Sequence, residues 1–428
     1  MIAVATAEFI DAKVRALSAR SRRLTALTPR RIGIPETHAG FAPSPAHFRA
    51  ANSRLAAIHR QIGTRVDFVR RKAGSGNPRG VLVAIALAER EVDRARRTFG
   101  MIHEIFAQRN GGFAAALAAH DAIAADCYAA VLAVAPMVFD HGILRPLTYM
   151  EHGYSPATMR RGVALARLLG ESNPFPVIRI PWDRDNPWQS VFLHEVAHNL
   201  QADLGVWQET EQAVTRRLVG GRADPLVATV YRRWHKEIFA DLAALLLGGT
   251  ASAWGMMDFL AHPGPKVVTY RPGGAHPTGF LRGLILAEMM RRMGFAQDAA
   301  KAREVWRDLY GTGRGGRIPT PLLSSANRII PAVVDEIAFQ PRRNLAQRAL
   351  VDVIPYGRED EARIRRGAVE LMNGRIPDLP PRFLVSASRF ALTMGAKAEP
   401  LSDTVIRHLS QHAARERSRP VLHRTQAA

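Results

Sequence analysis

The stretch NPWQSVFLHEVAHNLQ, residues 186–201, carries His194, Glu195 and His198 in the order HExxH. On a helix, residues four apart share a face, so both imidazoles point to one side, one turn apart. Two neutral imidazoles at that spacing can take adjacent coordination positions on one Zn²⁺. Glu195 projects beside them, where its carboxylate can reach a water at the metal without itself ligating it. A catalytic zinc takes a third protein ligand and keeps a fourth position open. The single cysteine, Cys127, excludes a cysteine-based zinc ribbon within one chain, so any metal here is held by histidines and carboxylates. The metzincin spacing is also excluded. It needs glycine at 201 and histidine at 204, where the chain has Gln201 and Leu204, with Asp203 one place away from an aspartate version.

Downstream, WHKEIFADLAALLLGG (234–249) carries Glu237 and Asp241 four apart, and positions 238–247 are apolar nearly all round. That is the pattern of a buried helix, where two carboxylates are costly unless paired or metal-bound. Glu237 as third ligand, with Asp241 accepting the free N–H of a ligand histidine, would satisfy both. A surface position or bonds to arginines would satisfy them equally. A third segment, AHPTGFLRG (275–283), sets His276 and Arg282 six apart. Taken alone it reads as a helix start with an incidental histidine.

In this order the three segments resemble the gluzincin zinc metallopeptidases, the thermolysin-like and neprilysin-like superfamily, whose pattern is HExxH followed by ExxxD. KEIFADLAA is similar to the ExxAD segment of the CAAX prenyl protease type, and neprilysin-like and prenyl-protease-like enzymes carry a comparable His…Arg pair after the glutamate helix. The resemblance implies a zincin-like catalytic domain with one zinc per chain, held by His194, His198 and Glu237. It makes Glu195 the general base and Asp241 the partner of a ligand histidine. His276 would stabilise the oxyanion, with Tyr270 and Tyr231 as further hydroxyl candidates, and Arg282 would brace the site through Asp241 or hold a substrate carboxylate. The resemblance covers residues 174–290, about a quarter of the chain. The gap from His198 to Glu237 is longer than in thermolysin-like enzymes, and the membrane helices of the prenyl protease type are missing. It therefore identifies a superfamily and no member family.

The elements that must position these residues are mostly helices. PFPVIRIP (174–181) is a β-branched run between prolines, the best strand candidate in the chain. Its terminal prolines suit an edge strand, which makes Val177, Ile178 and Arg179 candidates to pair with an extended peptide. Asn186 as cap and Pro187 as first residue predict the start of the HExxH helix. Residues 1–30, 45–72, 81–109 and the alanine-rich run after 113 read as helices, and further helices come after residue 300. The expected fold is mainly α with a small β-sheet. It divides into a helical N-terminal region (1–150), a catalytic domain (151–300) and a helical C-terminal region (301–428) whose last dozen residues fray.

Composition bounds the remainder. The 428 residues are 47% hydrophobic and 23% charged, the balance of a folded globular chain. A formal charge of +21 raises nucleic-acid binding. Only six of the 59 basic residues are lysine, however, and the arginines are spread along the chain without interleaved aromatics, which argues against it. The start has no basic n-region and carries Glu8 and Asp11, so no secretory signal is expected. The longest apolar stretch, 242–257, is short of the ~20 residues a span needs, so a cytoplasmic protein without a membrane span is expected. The leading expectation is a zinc metallopeptidase acting on peptides or proteins. The alternatives are a catalytically inactive zinc-site binding or regulatory protein and a basic helical nucleic-acid scaffold.

Overall fold

A computed structural model describes residues 4–74, 76–139, 143–165, 171–311 and 317–418; the tail expected to fray lies outside them from residue 419. The chain is mainly helical, with a three-stranded mixed sheet and a separate two-stranded ribbon.

The N-terminal helices form close to where the apolar periodicity puts them: α1 (Val4–Arg22), α2 (Pro45–Gly74) and α3 (Pro78–Ala107). They bury Ile10, Val14, Ile58, Ile62, Val81 and Ile85 in a core of their own. The alanine-rich α4 (Ala114–Val134) belongs elsewhere. It packs against α17 (Ala398–Ser418) and joins the main core, which draws on residues from Ala116 to Leu409. Packing is therefore continuous across residues 150 and 300. Among the described residues, α4 alone is long and apolar enough to cross a membrane by length and composition, and 61% of its most apolar window is buried. Asp121 on α4 accepts the Thr148 amide and hydroxyl at 2.9 and 2.8 Å and pairs with the fully buried Arg109 at 3.0 Å, tying α4 to the sheet.

The strands are β1 (Leu147–Met150), β2 (Ala157–Met159), β3 (Ala164–Leu165), β4 (Glu171–Ser172) and β5 (Val177–Ile180). The sheet order is β1-β5-β2, with β1 parallel and β2 antiparallel to β5, while β3 pairs with β4. This corrects the expectation for Val177, Ile178 and Arg179. Their strand is central, and both of its hydrogen-bonding edges are taken. Alternation explains why: Val177 joins the cluster containing Leu147 and Phe175, while Ile178 and Ile180 face the main core, so β5 is buried on both faces. The flanking prolines end the strand without placing it at an edge. β1 and β2 are the two edge strands; the Thr148 and Met150 amides of β1 are taken by Asp121 and Gln108, so among the described residues the freer edge is that of β2.

Among the described residues, eight α-helices lie between positions 191 and 324: α5 (Val191–Asp203), α6 (Trp207–Gly220), α7 (Pro225–Gly248), α8 (Thr250–Leu260), α9 (Gly264–Val267), α10 (Gly279–Arg292), α11 (Ala296–Tyr310) and α12 (Thr320–Ser324). The HExxH helix α5 starts four residues later than Pro187. The Gln189 amide bonds the Asn186 carbonyl at 3.1 Å and the Ser190 amide bonds Trp188 at 2.8 Å, so the Pro–Trp pair is used in a turn. In α7 the signals hold: Asp224 caps the Leu226 amide at 2.8 Å and Pro225 is the first helical residue. Gly249, at φ +68°, ends α7 in a conformation L-residues avoid, and a Cβ there would collide with the Tyr356 hydroxyl. The Thr250 hydroxyl, next in the chain, and that of Tyr356 both bond Glu361, each at 2.6 Å, so the break between α7 and α8 is held from the C-terminal helices. These are α13 (Ala326–Val334), α14 (Leu350–Val353), α15 (Arg358–Met372), α16 (Pro381–Thr393) and α17.

Candidate metal centre

Three helices and one strand edge build the site. α5 and α7 pack against each other, and on each the 3.6-residue repeat puts the polar pair on the contacting face. His194 and His198 come from α5, Glu237 and Asp241 from α7. One ligand atom each from His194, His198 and Glu237 lie within 4.8 Å of one another, a group that could hold a metal ion. His194 Nε2 and His198 Nε2 each stand 3.5 Å from Glu237 Oε2, and His276 Nε2 stands 3.4 Å from the same oxygen. None of these long contacts satisfies that oxygen as a hydrogen bond, although it is buried. A buried carboxylate oxygen with no hydrogen bond, facing imidazole nitrogens, fits a group able to hold a metal ion.

Behind His194, His198 and Glu237 runs a chain of paired groups. His194 Nδ1 donates to Asp241 Oδ1 at 2.8 Å, which turns Nε2 towards Glu237. Asp241, 1% exposed, is clamped by Arg282 of α10 through Nε at 2.6 Å and Nη2 at 2.7 Å. A carboxylate that orients a ligand imidazole fixes its tautomer and raises its basicity. The paired charges also explain how two acids and an arginine can be buried together. Burial opposes ionisation of Asp241, yet Arg282 and His194 outweigh it and hold the carboxyl below its ordinary range. Burial likewise opposes the charge on Arg282, but Asp241 keeps the guanidinium firmly protonated. Glu237 is held well below the carboxylate range by His194 and His198 in spite of its burial. His194 is pushed up to about 9, because Asp241 and Glu237 overcome the desolvation that would lower it. His276 goes the other way: although its side chain reaches solvent, desolvation by the packed atoms around the cleft mouth lowers it, with Arg282 and the two α5 histidines adding to this against the pull of Glu237.

The cleft over these groups is about 360 Å³. Glu195 lines it and accepts the Thr158 hydroxyl at 2.8 Å. Thr158 sits on β2 opposite Ile178, and its Oγ also lies 2.8 Å from the Glu195 carbonyl, so the open-edged strand is pinned to the HExxH helix. Apolar walls come from Val191, Met256 and Phe259.

The structure therefore brings His194, Glu195, His198, Glu237, Asp241, His276 and Arg282 together, with His276 exposed at the mouth. It does not bring Val177, Ile178 or Arg179 to the cleft, nor Tyr231 or Tyr270, which pack on Trp234 instead. Asp203 turns away and accepts the Tyr128 hydroxyl at 2.6 Å. Sequence reasoning missed Thr158, Arg160, Trp207 and Lys236, all of which line the cleft. Lys236 alone carried a signal, its place beside Glu237; the other three come from elements whose approach is long-range.

Compared with protein-family models, with curated proteins and with solved structures, the chain matches none.

Proposed function

We propose that this protein is a zinc-dependent peptidase whose metal ligands are His194, His198 and Glu237 and whose general base is Glu195. The observation that carries the reading is the convergence of three ligand atoms within 4.8 Å on a cleft that Glu195 also lines. Zinc suits the donor set. Two ligands at about 2.05 Å from a tetrahedral ion stand about 3.35 Å apart, close to the 3.5 Å from each α5 histidine to Glu237 Oε2. Two imidazoles and one carboxylate leave a fourth position open, as catalytic zinc requires.

Bound there, zinc would supply Lewis acidity, polarising a substrate carbonyl and lowering the pKa of water towards ~7. The protein's own groups do the rest. Glu195, held by Thr158, takes the proton from the attacking water and passes it to the leaving amine as the C–N bond breaks. His276, at the mouth and directed inward towards Glu237, is positioned to donate to the developing oxyanion. Asp241 and Arg282 keep His194 in the tautomer that presents Nε2. An extended peptide adds to the open edge of β2, whose residues Ala157 and Thr158 line the cleft.

Elemental analysis and peptide cleavage on one preparation test this. About one zinc per chain is expected, lost in His194→Ala, and Glu195→Gln should keep the metal while losing cleavage. Absence of metal after native purification, or unchanged cleavage by Glu195→Gln, would refute the assignment.

A further inference from the structure

One end of the cleft carries charge that the catalytic chemistry does not use. Arg160, just past the end of β2, lies with its guanidinium carbon 4.3 Å from the centroid of the Trp207 indole. Lys236 of α7 brings its ammonium to 5.4 Å from the same centroid. Trp207, the first residue of α6, is fixed from the side by the edge of His235 at 5.6 Å. All three line the cleft that holds His194, His198 and Glu237. Neither cation makes an ion pair among the described residues. By contrast, Arg282 is paired with Asp241.

Two unpaired cations held on one ring repel each other and gain from an anion placed between them. The ring attracts both and orients Arg160 in particular. A guanidinium lying on an aromatic face keeps its in-plane N–H donors free, and those donors match a carboxylate bidentately. Partial burial lowers the Arg160 pKa. A similar pair of cations sits on Tyr154, whose ring packs 5.7 Å from that of Phe259 in the cleft wall. Arg184 and Lys266 stand 4.9 and 4.7 Å from the Tyr154 ring centroid, and neither is ion-paired among the described residues.

We propose that the Trp207 end of the cleft, with Arg160 and Lys236 on one indole, is a carboxylate subsite, so that the peptides this centre cleaves carry an acidic side chain or a free C-terminus near the scissile bond. The inference rests on the peptidase reading for its substrate, but the anion-binding geometry stands apart from the chemistry.

The test uses the full chain loaded with zinc. End-blocked peptides with glutamate scanned along the sequence are compared with their glutamine counterparts, and neutral peptides with a free C-terminus are compared with their amides. kcat/KM is measured for cleavage, and binding of the same peptides, fluorescently labelled, is measured by anisotropy to the Glu195→Gln variant. The carboxylate form should be favoured roughly 10- to 100-fold, the worth of a charge-assisted hydrogen bond, mainly through KM. Arg160→Gln and Lys236→Gln should each shrink that ratio without loss of metal. If either variant fails to fold, the other carries the test. A preference in the glutamate series assigns the subsite to side chains, and one abolished by amidation assigns it to the terminus; both support the proposal. Equal cleavage and binding of charged and neutral peptides, or a preference untouched in both variants, overturns it. Charge-selective binding lost in Arg160→Gln with no cleavage of any peptide would retain the subsite and remove the peptidase reading instead.

Discussion

Asp241→Asn replaces one carboxylate oxygen by an amide and leaves the shape of the site almost unchanged, so its consequences isolate what the charge does. In the native site that carboxylate receives three donors, Arg282 Nε at 2.6 Å, Arg282 Nη2 at 2.7 Å and His194 Nδ1 at 2.8 Å, at 1% exposure. An asparagine can accept through one oxygen only, and its amide nitrogen would face a donor. With the amide nitrogen in the Oδ1 place, His194 Nδ1 and Arg282 Nη2 both lose their acceptor; in the Oδ2 place, only Arg282 Nε does. Loss of such a partner costs about 10–100-fold in metal affinity, or about 1.4–2.8 kcal/mol at 1.4 kcal/mol per decade. The metal-free protein should also lose about 3–5 kcal/mol, because Arg282 remains buried without its counter-charge. Competition with a fluorescent zinc chelator reads the first quantity, and urea unfolding of the metal-free protein reads the second. Zinc affinity within twofold of wild type would refute the claim that the Asp241 charge raises the basicity of a ligand histidine. Unchanged stability would refute the claim that it neutralises Arg282.

The same geometry makes three other outcomes measurable. Thr158→Val removes the hydroxyl that holds Glu195 to β2; cleavage should fall about tenfold through kcat with zinc content unchanged, and a fall in zinc content would show that Thr158 serves the fold instead. Zinc affinity should depend on pH in a definite sense: with His194 pushed up to about 9 by Asp241 and Glu237, the metal must displace its proton below that value. The apparent association constant should therefore rise about tenfold per pH unit from pH 6 to 8, and a flat profile by chelator competition would contradict the arrangement. Asp121→Ala deletes the buried partner of Arg109 and the acceptor of the Thr148 amide. A loss of about 3–5 kcal/mol is expected in chemical denaturation, whereas a loss under 1 kcal/mol would show that the link from α4 to the sheet is dispensable.

The range of each interaction sets how much of the site and fold is legible in the sequence. The pairs His194/His198 and Glu237/Asp241 are four residues apart, so the helical repeat alone sets each pair on one face, and the apolar run after Glu237 makes burial of α7 predictable. The cap and proline of α7 are equally local, and so is the mainly helical class with its small sheet. Locality also misleads. Asn186 and Pro187 have the residue types of a helix start but close a turn, with the helix beginning at Val191.

The sequence by itself determined which side chains could serve a metal and in what local order, because helix geometry converts spacing into direction with no knowledge of the rest of the molecule. Tertiary structure decided that α5 and α7 meet on those faces, bringing Glu237 Oε2 to 3.5 Å from two imidazoles. It decided that β5 is the central strand and β2 the open one, which no proline pattern could reveal, since an edge is defined by the neighbours a strand lacks. It also brought Thr158, Arg160, Trp207 and Lys236 to one cleft from three separate segments. Those approaches are selected by packing across the whole core, where burial of apolar surface far outweighs any single local preference.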